Sequence, residues 1–345
     1  MIPVYGLAIK QPGGPFDHWL FNRRTPGPDD ILIDILYCGI CHSDIHQVLN
    51  EWNNGTYPMV PGHEIVGKVS AAGKSTTGFQ IGDIVGVGCY VDSCRSCRSC
   101  RSGQEQYCET GVSWTYNSFE QDKATRTYGG YSSRIVVKAD YVFHIPPGLD
   151  PAAAAPLLCA GVTTFAPMKK WGIGQGHRVG VIGLGGLGHI AVKMAASLGA
   201  EVIVISSHAE KKADAVRLGA SAFIQGADNR FKGQFHFLFD TISAPHAYAP
   251  YLSLLRTNGV YVCIGLPPHP ITLQPSLLID HGISVTGSLV GGLQTTRDML
   301  QHCAQHQLSA DIQLIKPDFV KTAYERALQG AVKYRYVIDL TRLNT

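Results

Sequence analysis

Four cysteines, Cys94, Cys97, Cys100 and Cys108, are spaced C-x2-C-x2-C-x7-C. A loop with this spacing can wrap four thiolates around a tetrahedral ion and leave no position open, the pattern of a structural zinc site. An iron–sulfur cluster also takes cysteines at two-residue gaps, but here the fourth comes after seven residues and no proline follows it. A nucleic-acid-binding zinc ribbon would use the same thiolates, yet no wider basic surface with interleaved aromatics accompanies them. Arg95, Arg98 and Arg101 alternate with the cysteines. They either offset the negative charge of a four-thiolate centre or form a solvated basic loop.

A second constellation is more dispersed. Cys41 stands beside Ser43, Asp44 and His46, the pair His63 and Glu64 follows, and Cys159 lies far along the chain. Two cysteines and one histidine make a three-ligand set that leaves the fourth tetrahedral position free for water or substrate, as catalytic zinc requires. Taken singly, each residue has an ordinary reading: a buried thiol for Cys159, a helix cap or turn for Ser43 and Asp44, a surface histidine for His46. Cys38 makes a C-x2-C pair with Cys41.

The third chemical motif is G-x-G-G-x-G over Gly183, Leu184, Gly185, Gly186, Leu187 and Gly188. It follows an apolar run that reads as a strand and opens a helical stretch, the context of a dinucleotide-binding turn. Gly183 permits the tight turn, Gly185 the approach of a pyrophosphate, and Gly188 close packing of helix on strand; the helix amino end then offers free N–H groups to phosphate. The following strand ends in Ser206 and Ser207, with no acidic residue where an NAD ribose would bond one. Two hydroxyls with Lys211 suit the 2′-phosphate of NADP(H), with Lys212 or His208 as assistants or solvent-facing neighbours.

The elements that must position these groups divide into two kinds. From residue 32 to about 145 short alternating apolar segments are separated by Gly, Pro and Asn, a β-rich unit with no long helical pattern. After residue 150 strands predicted at 178–182, 201–205, 235–239 and 260–264 alternate with helices at 186–198, 209–218 and 247–255. Such alternation signals βαβ units and a parallel sheet. A further strand at 283–288, helices at 293–307 and 318–329 and a terminal strand at 335–340 complete the reading, with no solenoid repeat.

Composition agrees with a two-domain enzyme. The 345 residues are 45% hydrophobic and 16% charged, the balance of a compact folded chain. With 29 basic and 26 acidic residues the net charge of +3 implies neither nucleic acid nor a membrane surface as partner. The longest uncharged run, 151–168, is interrupted by Pro156 and Pro167 and reads as a soluble helix with a loop. Residues 1–11 lack a basic start followed by an apolar core and are read as mature sequence. Ten cysteines without an export signal are expected to stay reduced or hold metal, which fits a cytoplasmic protein.

The motifs CGICHSD at 38–44, YPMVPGHE at 57–64, TYNS at 115–118, GGYS at 129–132 and PLLCAG at 156–161, with the Gly-rich turn, resemble those of the zinc-dependent medium-chain alcohol dehydrogenases. Within that family the chain is most similar to the cinnamyl alcohol dehydrogenase and broad aldehyde reductase branch, nearly end to end. The resemblance implies an α/β fold: a GroES-like β-rich catalytic domain (1–150) holding both zinc sites, a Rossmann doubly wound parallel-sheet domain for NADP(H) (151–288), and a return segment (289–345) completing the catalytic domain. It implies two zinc ions per chain, one catalytic and one structural. Cys41, His63 and Cys159 would be the catalytic ligands, Glu64 a nearby carboxylate exchanging with water on the metal, and Asp44 the partner that orients His63.

The same resemblance implies hydride transfer between NADPH and an aldehyde, with zinc polarising the carbonyl, and the reverse oxidation of a primary alcohol. Ser43 would pass a proton through the nicotinamide ribose to His46. Thr163, Gly265, Ser288, Leu289 and Val290 would flank the nicotinamide, while Trp52, Trp114 and Leu289 would line the substrate cleft. A bulky indole at Trp114, where the plant lignin enzymes more often carry a smaller aliphatic residue, implies a broad reductase of aromatic and aliphatic aldehydes. Arg335 could meet a pyrophosphate or simply start a strand. A homodimer joined through cofactor-domain edge strands near 283–288 is expected. A polyol dehydrogenase would more often carry an acid after the second strand, a zinc-free quinone reductase would lack Cys41 and the cysteine loop, and a non-enzymatic zinc module would not need the Gly-rich turn.

Overall fold

In the strand Asp30–Gly39, Ile31, Ile33 and Ile35 are buried while the residues between them are half-buried, the period-two signature of a strand with one core face. It is the hub of a seven-stranded sheet in the computed structural model, which describes residues 1–267 and 270–343. Along this sheet Phe143–His144, Ile84–Val87, Ile65–Ala72, Asp30–Gly39, Arg335–Asp339 and Ile312–Ile315 are successive neighbours, and Arg134–Lys138 pairs with Asp30–Gly39 off that path. A two-stranded ribbon, Ile2–Ala8 with Asp17–Arg23, and two short hairpins accompany it.

The chain divides into two compact units, residues 1–162 with 291–345, and residues 163–290. Residues 151–162 therefore lie in the first unit rather than with the cofactor domain. The reason is packing: the helix Pro151–Ala154 and the 3-10 turn Ala155–Leu158 rest on the strands Asp30–Gly39, Ile65–Ala72 and Arg335–Asp339. The segment Pro151–Leu158 and the helix Ala160–Lys170 are bent by 56° to one another, and among the described residues no single helix is long and apolar enough to cross a membrane.

The second unit is a six-stranded, wholly parallel sheet ordered Ala222–Gln225, Glu201–Ser206, Arg178–Ile182, Phe235–Asp240, Leu255–Cys263, Ser284–Gly287. The chain starts in the middle, builds outward one way, then returns and builds the other way, so the order reverses beside Arg178–Ile182. In such sheets the crevice beyond the strand ends at the reversal is where a ligand binds. Ile182, Ile203, Ile205, Phe235, Leu238 and Tyr261 belong to the buried core of this unit.

Two expectations change. The helix predicted at 247–255 is only Ala249–Leu252, and the strand predicted at 260–264 runs Leu255–Cys263. Leu255 pairs with Phe235 across a register shift, so backbone pairing extends the strand through the exposed Arg256, Thr257 and Asn258, which an apolar pattern does not reveal. The eight-residue helix His42–Leu49 also escapes a reading by long periodicity.

A candidate catalytic metal centre and dinucleotide turn

Cys41 ends the run from the strand Asp30–Gly39 and caps the helix His42–Leu49, while His63 and Glu64 immediately precede the strand Ile65–Ala72. Cys159 follows the turn Ala155–Leu158. These elements bring one ligand atom each from Cys41, His63, Glu64 and Cys159 to within 4.8 Å of one another. His63 Nε2 is 3.3 Å from Cys159 Sγ, and its Nδ1 is 3.1 Å from Asp44 Oδ1. If Nδ1 donates to Asp44, the neutral ring keeps its Nε2 lone pair for a metal.

Asp44 is fully buried and saturated: Oδ2 accepts from the Cys41 N–H at 2.9 Å, and Oδ1 from the Gly62 N–H at 3.1 Å as well as facing His63. The Tyr131 hydroxyl stands 3.5 Å from Oδ2 and accepts from Tyr324 Oη at 3.1 Å. Cap and histidine partner, two alternatives in the sequence, are thus one residue performing both tasks with two oxygens. Burial works against charge on His63, but Asp44 outweighs it and raises the imidazole well above its ordinary value. A hydrogen bond from Cys159 holds Cys41 well below the usual thiol range, and the Cys159 thiol is correspondingly raised.

Glu64 is fully buried and bonds through Oε1 to the guanidinium of Arg335, while Oε2 has no hydrogen-bond partner. Burial pushes its carboxyl up to about 7 against the attraction of Arg335. Burial likewise opposes the charge of Arg335, yet Glu64, Cys41 and Cys159 together raise it above the ordinary guanidinium value. Arg335 therefore stands beside Glu64 in this pocket, a placement the sequence does not signal because 271 residues separate the two. Gly39 makes room for this arrangement, since a Cβ there would lie 2.0 Å from Glu64 Oε2. Two cysteine sulfurs, the His63 Nε2 and a carboxylate oxygen without a hydrogen-bond partner form a donor set that fits zinc.

Ser43 and His46 occupy i and i+3 of one helix, so they share a face. Ser43 Oγ lies 3.7 Å from Cys41 Sγ; His46 bonds Glu51 through Nδ1, while its buried Nε2 lacks a partner. The His46 ring is 5.2 Å from that of Trp52. Trp114, 36% exposed, meets Tyr90 edge-on. Leu289 is exposed in the second unit. Cys38 is fully buried, and burial raises its thiol well above the ordinary value, in keeping with an inert role.

The four loop cysteines also come within 4.8 Å of one another. Backbone N–H groups point at the sulfurs: Cys97 N–H to Cys94 Sγ at 3.3 Å, Cys100 N–H to Cys97 Sγ at 3.4 Å and Cys94 N–H to Cys108 Sγ at 3.4 Å. N–H bonds from Ser96 and Cys97 hold the Cys94 thiol down at about 5, a thiolate ready for metal. Arg95 does not address the sulfurs; it pairs with Asp92 at 2.8 Å and Asp140 at 3.4 Å. Arg98 and Arg101 are exposed on the short helix between Cys97 and Ser102.

In the second unit the strand Arg178–Ile182 runs into Gly183 at φ +89°, and a Cβ on Gly188 would lie 2.2 Å from the Gly183 carbonyl oxygen. Gly185 faces open space, and the helix Gly188–Ser197 begins there, with Leu184 buried beneath the turn. Gly186 and Leu187 complete the turn between strand and helix. Ser206 is buried at its strand end, Ser207 is exposed, and half-buried Lys211 makes no ion pair among the described residues. His208 pairs with Glu210 at 3.1 Å, and Lys212 opens the helix Lys212–Arg217. Thr163 and Val290 are buried, the Gly265 N–H bonds the Asp240 carbonyl at 2.9 Å, and the Ser288 N–H bonds that of Cys263 at 3.3 Å.

Residues 27–147 match the alcohol dehydrogenase GroES-like domain family and residues 186–305 the zinc-binding dehydrogenase family. The chain is 47% identical to an NADP-dependent alcohol dehydrogenase C of Mycolicibacterium smegmatis, covering the whole of both. It superposes with a TM-score of 0.96 on a cinnamyl alcohol dehydrogenase of Sorghum bicolor, 41% identical over 99% of this chain and 98% of that one. A second such enzyme, from Helicobacter pylori and solved with NADP(H), gives 0.94 at 41% identity over 99% of each chain.

Proposed function

Because the chain belongs to the zinc-binding dehydrogenases with a GroES-like domain, we propose that Cys41, His63 and Cys159 form the centre of an NADP(H)-dependent alcohol dehydrogenase that interconverts aldehydes and primary alcohols. The observation that carries this reading is the buried convergence of those three residues with Glu64 beside the Asp44–His63 hydrogen bond. A zinc ion held there supplies a Lewis acid toward a substrate oxygen. The reaction moves a hydride between the nicotinamide of NADP(H) and the carbonyl carbon.

The chain's own residues do the rest. Asp44 keeps the His63 proton on Nδ1, and Arg335 holds Glu64 through one oxygen while leaving the other free. Ser43 and His46, one helical turn apart, carry the substrate proton outward, with the unpartnered His46 Nε2 able to take it and Glu51 steadying the ring. The turn Gly183–Gly188 seats the pyrophosphate, and Ser206, Ser207 and Lys211 hold the 2′-phosphate. Thr163, Gly265, Ser288, Leu289 and Val290 flank the nicotinamide, and Trp52, Trp114 and Leu289 select broad aromatic and aliphatic aldehydes. Cys94, Cys97, Cys100 and Cys108 hold the second zinc.

The deciding experiment follows oxidation of NADPH and NADH by zinc-replete protein against aldehydes from short aliphatic to benzaldehyde and cinnamaldehyde. Turnover with NADPH across the panel is expected; silence in protein that binds NADPH would discard the aldehyde reading. The variant S206D/K211A is expected to move the kcat/KM ratio toward NADH, and an unchanged ratio would discard the phosphate assignment. A homodimer through the edge strand Ser284–Gly287, and a cytoplasmic location, complete the reading. Light scattering on the purified chain tests the former.

A further inference from the structure

We propose that Arg23 and Arg126 form a second ligand site, for a small multivalent oxyanion, in a cavity of about 360 Å³ within the first unit. Both residues line this cavity, as do Arg24 and Glu120. Arg24 is already neutralised, bonding Glu120 at 2.7 Å and Asp30 at 3.0 Å. Glu120 is the cavity's single carboxylate and is engaged by Arg24 through both oxygens. Arg23 and Arg126 have no carboxylate partner among the described residues.

What they do have is neutral. Arg23 donates to the Gly129 carbonyl at 2.9 Å and to Ser132 Oγ at 3.0 Å, and its Nε, sealed from solvent, has no partner at all. Arg126 reaches the carbonyls of Tyr57 and Pro58 only at 3.4 Å. Burial pushes the Arg23 guanidinium down to about 9, the mark of a charge short of counter-charge. With Arg24 offset by Glu120 and Asp30, Arg23 and Arg126 leave an excess of positive charge at this cavity.

The geometry is preset by aromatic rings. Arg23 lies 5.3 Å over Phe21 and Arg126 lies 5.6 Å over Tyr128, with the two rings 5.0 Å apart and Trp19 stacked 4.8 Å from Phe21. Stacking on a ring leaves a guanidinium edge for hydrogen bonds; here those bonds go to neutral acceptors, which an oxyanion could replace by paired, charge-assisted ones. The chemistry suits inorganic phosphate or a small dicarboxylate. Occupancy would reach the metal pocket through covalent neighbours, because Gly129 and Ser132 bracket Tyr131, which faces Asp44, and Tyr57 and Pro58 lead to His63.

The test uses zinc-loaded protein saturated with NADP+, so that the cofactor-phosphate position is filled. Inorganic phosphate and, separately, malonate are titrated by calorimetry at constant ionic strength made up with chloride. Saturable binding of at least one is expected, with affinity at least ten-fold weaker in R23Q and in R126Q and unchanged in K232Q, which removes an exposed charge elsewhere. Phosphate alone or malonate alone identifies the natural oxyanion, and either supports the site. No saturable binding, equal binding in R23Q and R126Q, or an equal loss in K232Q would overturn it. Should R23Q not fold, R126Q decides, since that half-buried side chain makes only two long bonds.

Discussion

Asp44 joins a helix start to a metal ligand with one side chain, so removing its charge should disturb both. For Asp44→Asn we expect zinc affinity at the Cys41 pocket to fall about 10–100-fold, read by chelator competition with the cysteine-loop zinc as internal reference. Glu64 and Arg335 make a second residue-scale test. Either Glu64→Gln or Arg335→Met alone should cost about 3–5 kcal/mol in urea unfolding, because the partner's charge stays buried, and the double variant should cost less than either. Additive losses in the double variant would contradict the pairing. The sequence marks Cys41, Asp44, His63 and Glu64 because they sit in short dense motifs. Arg335 and Tyr324 leave no such mark: each reaches the site through tertiary folding alone, from segments hundreds of residues away.

Among the elements, the Gly-rich turn has no room for a side chain at Gly188. A methyl on Gly188 would collide with the Gly183 carbonyl, so Gly188→Ala should raise the NADP+ dissociation constant at least ten-fold and lower the melting temperature. The start of the strand Asp30–Gly39 carries a pH dependence. Burial favours the neutral Asp30, yet bonds from Arg24, the Gly27 N–H and Lys138 win and hold its carboxyl below the ordinary value. Its folded value lies below the unfolded value of about 3.9, so the carboxylate stabilises the fold above that pH and the contribution is lost as pH falls through the folded value. Asp30→Asn should therefore lose about 2 kcal/mol at pH 7 and show a shallower acid limb in a stability–pH profile. Strands flanked by turn residues are legible in this sequence; the extension of Leu255–Cys263 through polar residues is not, because only its neighbour's backbone dictates it.

At the scale of the whole molecule the two metal-binding clusters have different duties, and metal removal should separate them. Stripping the cysteine loop with a chelator should speed amide exchange across residues 94–108, whose N–H bonds end on sulfur, and leave the strand Arg178–Ile182 protected. Uniform loss of protection would mean that the loop holds more than itself. The alternation of strands and helices after residue 150 announces the parallel sheet, though not the order of its strands. The unit boundary is not announced, since residues 151–162 are helical in pattern but packed on the first unit's strands. That first unit is discontinuous, and the buried Glu64 beside Cys41, His63 and Cys159 is met by an arginine on the strand Arg335–Asp339. During synthesis, then, the ribosome must deliver 271 further residues after Glu64 before its counter-ion exists. Until then the nascent chain carries a carboxylate without its cation and an unpaired stretch at Tyr37–Gly39, the kind of open strand edge that invites wrong pairing.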